Sequence, residues 1–318
     1  MTITHSTPAE LFPSPLPWIS ADEVFARVSF ERATRAIQRD LRAGLDPATD
    51  FSRGILDVAQ GQLLLMPTQS SEFVGVKIAT VAPGNPALGL ERIQGVYLLM
   101  DAATLSPIAL IDGTALTTLR TPAVSAAAAD LLAPSTVRHL VVFGSGPQAW
   151  GHIEAMRSIR SIGRVSIVAR NHERAAALAA RVRSSGLAAA VGTADSVRDA
   201  QLIVCATTAR TPLFDGRMVP DDSCALAVGS HEPDARELPS ALVERAQLVV
   251  EDTAVALREA GDLLIPIGEG AITAEGLVPM RDILTGSIAV DHTRPRVFKS
   301  SGMSWEDLSI AAEVFRTA

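Results

Sequence analysis

The chain has 318 residues, 47% of them hydrophobic, and a formal net charge of −7. That is length for about two domains and apolar content for a sizeable core. The acidic balance argues against nucleic acid or a membrane surface as partner, and no apolar stretch reaches the length of a membrane span. The start, MTITHSTPAELFPSPLPW, has no charged region ahead of an apolar one and predicts no signal peptide.

Residues 20–44 pattern as one capped amphipathic helix ending near Gly44. Strand-like segments follow at Gln62 to Met66, Phe73 to Ile78, Val96 to Asp101 and Ile108 to Ile111, and then an alanine-rich helix over 117–133. Three isolated cations stand out: Arg53, Lys77 in FVGVKIAT, and Arg120 at the start of the alanine-rich helix. A cation in such surroundings is costly unless it pairs with a carboxylate, snorkels to the surface or meets an anionic ligand. The residues alone leave all three open.

At 138–152 the apolar run His139 to Phe143 leads into Gly144-Ser145-Gly146-Pro147-Gln148-Ala149. This is G-x-G-x-x-A between a predicted strand and a predicted helix, the arrangement that binds a dinucleotide pyrophosphate. Gly144 permits the tight turn and Gly146 the approach of the phosphates. Ala149 and Gly151 are expected to let the helix lie close to the sheet, and Pro147 suits a first helical turn. Strand and helix patterns then alternate: strand 165–169, helix 172–184, strand 187–191, a short helix, and strands at 202–206, 224–228 and 248–251. They predict a doubly wound parallel sheet of apolar strands buried on both faces, a Rossmann domain. The second strand ends in Arg170-Asn171, with Arg174 one turn on, where an NAD site usually carries an acid. Arginine offers a 2′-hydroxyl no acceptor and suits a 2′-phosphate, so NADP(H) is expected over NAD(H).

Cys205 and Cys224 lie in apolar runs and read as small core residues of a reducing compartment, the cytoplasm. H-E-x-x-H, C-x-x-C and G-x-S-x-G are all missing and the histidines are scattered, so no metal site is expected.

LLLMP (63–67), GVKIATVAPGNP (75–86), LTTLRTPAVSAAAA (116–129), FGSGPQA (143–149), VGSHEPDAREL (228–238), EAGD (259–262) and VFKSSGMSWEDLSIAAEV (297–314) carry a likeness. In this order and spacing the chain resembles the ornithine cyclodeaminase/mu-crystallin family over nearly its whole length. The resemblance implies an α/β protein with its Rossmann domain, 126–303, inserted into a second α+β domain. That domain, 1–125 plus 304–318, binds substrate and forms a homodimer. The resemblance makes Arg53, Lys77 and Arg120 a clamp for the carboxylate of a small imino or amino acid, with Lys77 also handling a proton. It places the cofactor against Gly144, Ser145, Gly146, Pro147, Gln148, Ala149, Arg170, Asn171, Arg174, Thr207, the turn Val228-Gly229-Ser230, and Lys299, Ser300 and Gly302.

One departure bears on activity. Ornithine cyclodeaminases carry an aspartate two residues after the first glycine of the 229 turn, whereas this chain reads Gly229-Ser230-His231. Without that acid the expected activity is NADPH-dependent reduction of a cyclic ketimine acid, pyrroline-2-carboxylate or piperideine-2-carboxylate. His231, with an ordinary pKa near 6.5, is the candidate proton donor. The alternatives are an ornithine cyclodeaminase using His231 or a neighbouring acid such as Glu232 or Asp234, an alanine or other amino-acid dehydrogenase, and a mu-crystallin-like NADPH-binding protein.

Overall fold

A computed structural model describes residues 15–317. The first fourteen residues, and with them most of the segment read for a signal peptide, lie outside the described residues. No helix among the described residues is long and apolar enough to cross a membrane.

The first half runs β1 (Trp18–Ile19), α1 (Ala21–Arg27), α2 (Phe30–Arg42), β2 (Gly54–Val58), β3 (Gly61–Gln69), β4 (Phe73–Val81), β5 (Ile93–Asp101), β6 (Pro107–Asp112) and α3 (Gly113–Leu132). The single helix expected over 20–44 is two. Val28 is extended, and the Ser29 hydroxyl accepts from the Arg32 amide at 3.2 Å, capping a new start. The strands form a sheet in the order β1-β6-β5-β4-β3-β2, antiparallel apart from the β1–β6 pair. Along β4, Gly75, Lys77, Ala79 and Val81 are buried while Ile78 and Thr80 are exposed. The period-two pattern therefore turns Lys77 inward.

The second half runs β7 (Thr136–Phe143), α4 (Pro147–Ile159), β8 (Ser161–Val168), α5 (His172–Ser184), β9 (Ala188–Val191), β10 (Leu202–Cys205), β11 (Cys224–Ala227), α6 (Ser240–Val243), β12 (Gln247–Val250), α7 (Thr253–Glu259), α8 (Gly261–Gly268), β13 (Leu277–Pro279), α9 (Met280–Leu284), β14 (Arg296–Lys299) and α10 (Ser304–Arg316). The strands form an all-parallel sheet ordered β13-β12-β14-β11-β10-β7-β8-β9. This is the doubly wound arrangement expected, with its switch point between β7 and β10. Leu140 and Val142 of β7 enter one hydrophobic core and Val141 and Phe143 the other, so this strand is buried on both faces as its composition indicates. Cys205 and Cys224 are buried free thiols in β10 and β11.

Three details differ from the sequence reading. The short helix after β9 is a 3-10 turn, Ala194–Asp199. β14, bounded by Arg296 and Lys299, has no apolar flanks to announce it, yet it pairs centrally between β11 and β12. Gly151 does not bring α4 to the sheet. A side chain there would meet Pro122 and Thr118 of α3, so it sets a helix–helix contact. The larger core joins α2, α3, α4 and α10 with the inner faces of both sheets. α10, last in sequence, packs back on α2, α3, β3 and β4.

Candidate active site

The residues expected to hold a cofactor all fall at the C-terminal ends of the parallel strands, the edge where open α/β sheets bind ligands. Gly144 has φ +118°, and a Cβ there would stand 2.4 Å from the Ala206 carbonyl across the switch point. Only glycine fits that turn. Gly146 caps α4, whose amides receive no side-chain cap, and a Cβ there would meet nothing within 4 Å. Pro147 occupies the first turn and Ala149 is buried against the loop. Ser145 is half-buried, and the Gln148 side chain reaches the Thr117 carbonyl at 3.4 Å. Open space, free amide donors and a helix start fit a pyrophosphate. Arg170 and Arg174 are exposed, and neither guanidinium pairs with a carboxylate among the described residues. Asn171 is committed to capping α5, its side chain accepting from the Arg174 amide at 2.9 Å.

Buried acids hold the remaining turns. Glu237 accepts from the Thr207 amide and hydroxyl and from the Gly229 amide, each at 2.7 Å. A Cβ on Gly229 would overlap the Thr207 carbonyl and the Glu237 carboxylate, so this close approach also needs glycine. Val228 continues the strand, its amide donating to the Cys205 carbonyl at 3.0 Å. Lys299 does not project toward the crevice. Its ammonium is buried, 3.1 Å from Asp262, and donates to the Ser230 carbonyl. The Ser230 hydroxyl donates to the Ala235 carbonyl at 2.6 Å, and the Ser300 hydroxyl to Glu251. At 230, 299 and 300 the side chains act as struts, which leaves the backbone to face a ligand.

The three clamp cations have carboxylate partners within the chain. Lys77 Nζ lies 2.7 Å from Asp307 Oδ2 and 3.4 Å from the Thr117 hydroxyl. Arg120 Nη1 donates to Glu306 Oε2 at 2.6 Å, and its Nε lies 3.3 Å from Asp307 Oδ1. Arg53 pairs with Glu259 and donates to the Ser301 carbonyl at 3.2 Å. Apolar surroundings therefore do not by themselves demand an external anion, because acids from distant segments meet the need. The clusters still have unused donors. Among the described residues Nη1 is the one Arg120 nitrogen with a hydrogen bond, and the buried Nε has none. Tyr97, opposite Lys77 on β5, has a buried hydroxyl without a partner.

Arg53 and Gly302 border a cavity of about 160 Å³, walled also by Phe51, Met66, Val255 and Met303. A larger hollow near Arg160, His292 and Arg296 lies at the opposite ends of the strands, away from the glycine loop. Burial pulls Lys77 down to about 8 against the pull of Asp307, so the ammonium can release its proton near neutral pH. Burial, with Arg53 and Lys299 nearby, lowers His231 as well. Both groups are thereby pulled toward their neutral forms.

Glu251, Glu259, Asp262, Glu306 and Asp307 were not singled out from sequence, although EAGD and SWED contain four of them. Only Glu251 carries a local signal, an acid directly after the apolar run QLVV. Among the described residues no His, Cys, Asp and Glu cluster can hold a metal ion.

A dinucleotide-type edge facing a buried cluster of cations defines an α/β protein built to place an anionic small molecule beside a nucleotide. The chain belongs to the ornithine cyclodeaminase/mu-crystallin family, whose sequence pattern matches residues 20–318. It is 35% identical over 277 residues to a Delta(1)-pyrroline-2-carboxylate reductase of Bacillus cereus, covering 84% of this chain and 85% of that protein. The Delta(1)-pyrroline-2-carboxylate reductase of Thermococcus litoralis, solved with NADH and L-proline, is 26% identical with a TM-score of 0.89, covering 95% of this chain and 97% of that one. An archaeal alanine dehydrogenase dimer with bound NAD is 25% identical, also at 0.89, covering 95% and 96%.

Proposed function

We propose that this protein is an NAD(P)H-dependent reductase of a small cyclic ketimine acid, pyrroline-2-carboxylate or piperideine-2-carboxylate, yielding the corresponding amino acid. One observation carries the reading. Arg120 and Lys77 meet at a shared Asp307, and Arg120 keeps most of its fork free of hydrogen bonds. A planar carboxylate is the natural ligand for such a fork. Arg120 and Lys77 hold the substrate carboxylate, and Arg53 closes the side nearest Ser301. The likeness to two pyrroline-2-carboxylate reductases supports the same substrate class.

When bound, the cofactor supplies hydride to the substrate α-carbon, for which the reacting atoms must come within about 3–3.5 Å. The protein's part is to orient and protonate. Lys77 gives its proton to the imine nitrogen, making the carbon electrophilic, and regains one from solvent. Glu232 and Asp234 both pair with Arg210, which supports reading neither as the acid of the cyclodeaminases. That favours imine reduction over deamination.

Arg170, exposed and unpaired among the described residues, with Arg174 one turn away, supports NADP(H) over NAD(H). The two solved relatives hold NADH and NAD, so the pair of arginines is a property to test in this chain. We divide the chain into 1–125 plus 304–318, which binds substrate, and 126–303, which binds cofactor. Exposed Ile55, Leu56, Val58, Ile78 and Ile93 on the first sheet support a homodimer through residues before 120. Free buried thiols support a cytoplasmic setting.

The test is a panel of pyrroline-2-carboxylate, piperideine-2-carboxylate, pyruvate with ammonia, and ornithine, each with both cofactors. Nicotinamide absorbance reports turnover. Oxidation of NADPH with stoichiometric proline or pipecolate is expected. Ammonia release from ornithine, or tight NADPH binding without turnover, would replace the reading.

A further inference from the structure

Behind the cation pair lies a set of acids that the proposed chemistry does not use. Glu251, directly after β12, already accepts three hydrogen bonds, which leaves its carboxylate room for one more. It takes the Ser300 hydroxyl, the Ser301 amide at 2.9 Å and the Gly302 amide at 2.9 Å. Glu306, at the start of α10, is wholly buried, accepts one bond from Arg120, and its other oxygen has no partner. The two carboxyl groups converge on one spot: Glu251 accepts from the Gly302 amide, a Cβ on Gly302 would stand 2.8 Å from Arg120 Nη1, and that nitrogen donates to Glu306. The charged groups around Glu306 are Arg120 from α3, Lys77 from β4, its neighbour Asp307 on α10, and Glu251. Asp50, which accepts from the Trp305 amide, and Tyr97 also lie near Asp307. If every acid among Glu251, Glu306 and Asp307 were ionised, three anions would face two cations in a dry interior.

We propose that Glu251 and Glu306 form a single monoanionic pair, with the proton on Glu306 donated to Glu251, and that this pair ties the Lys299–Gly302 turn to Arg120 while sparing Arg120 a second full counter-charge. Glu306 is the right member to hold the proton, since Glu251 faces three donors and Glu306 only one. Burial, reinforced by Glu251, raises the Glu306 carboxyl well above the ordinary carboxylate range. The cluster is then neutral overall: Lys77 and Arg120 against Asp307 and one shared charge. Keeping the proton on Glu306 leaves Arg120 and Lys77 the positive charge to take up a substrate carboxylate, and the imine nitrogen then takes its proton from Lys77. Both acids are positioning residues, and the part concerning substrate rests on the ketimine reading above.

Infrared spectroscopy and kinetics of Glu306→Gln, Glu251→Gln and the double variant test the pair. At neutral pH the Glu306→Gln difference spectrum should lose one protonated-carboxyl C=O band. Glu251→Gln leaves the remaining charge on Glu306, against Arg120, and should raise KM for the imino acid about tenfold or more. Adding Glu306→Gln to it removes that charge and should recover KM by about threefold or more, a rescue that a merely collapsed turn would not show. The pair is overturned if no acid band is lost, if Glu251→Gln leaves KM equal or lower, or if the double variant brings no recovery. A Glu306→Gln protein that fails to fold also overturns it, since the amide keeps the shape and bonds of the acid. The infrared result does not depend on the substrate, so absence of ketimine turnover in the native protein defeats the functional reading separately.

Discussion

The two walls of the cleft are assembled in different ways. On the parallel-sheet side the glycine loop is built locally: a strand ends, a glycine turns, and a helix starts within a few residues, from Gly144 to Pro147, while the turns at 229 and 300–302 are fixed by Glu237 and Glu251 from connections of the same sheet. On the other side the cations are placed by one segment and balanced by another far along the chain. Lys77 and Asp307 are 230 residues apart, and Arg120 and Glu306 are 186 apart. The local wall depends on backbone geometry. The distant wall depends on α10 docking correctly, because its first turn brings Glu306 and Asp307 together, with Asp50 accepting from the Trp305 amide at 2.9 Å.

If the walls are separable in this way, substitutions in the cation cluster should cost catalysis and spare cofactor affinity. The largest effect is expected for Arg120→Met. It keeps the apolar stem and removes the fork, and should lower kcat/KM by roughly 2–5 kcal/mol of transition-state stabilisation. NADPH affinity, measured by fluorescence titration, should stay within about threefold, since the Arg120 guanidinium pairs with Glu306 and Asp307 of α10 and not with the 144–149 loop. A parallel loss of cofactor binding would show the walls to be one unit.

Lys77 gives the next effect. It is protonated below about 8, so kcat/KM should be level below that pH and fall as pH rises through it. The slope should approach tenfold per pH unit, each unit being about 1.4 kcal/mol. Lys77→Met should lower kcat and abolish this limb. A limb that survives the substitution assigns the proton to another group.

The smallest effect belongs to the other wall. Arg170→Asp should reverse an NADPH preference by adding repulsion to lost attraction, about ten- to a hundredfold in the ratio of the two cofactors' kcat/KM. KM for the imino acid should hold. Equal efficiency of both cofactors in the native protein would remove Arg170 from the account.

The same contrast decides what could be read from sequence. Gly144-x-Gly146, the alternating strands and the helix over 172–184 follow from local periodicity and turn chemistry, and they stand in the structure where they were expected. The cations were visible because charge is rare inside apolar runs. Their partners were not, because an acid such as Glu306 on an amphipathic helix looks like solvent-facing charge until tertiary packing buries it. β14 escaped notice for a related reason: Arg296 and Lys299 bound it, and both are buried through contacts to carbonyls and to Asp262 that no local pattern displays.

A crystal structure of the protein with NADP and L-proline tests the central claim most directly. The account predicts the proline carboxylate within hydrogen-bonding distance of both Arg120 and Lys77, with its ring facing the nicotinamide across the cleft. A carboxylate bound elsewhere, with the Arg120 fork still engaged by Glu306 and Asp307 alone, would contradict it.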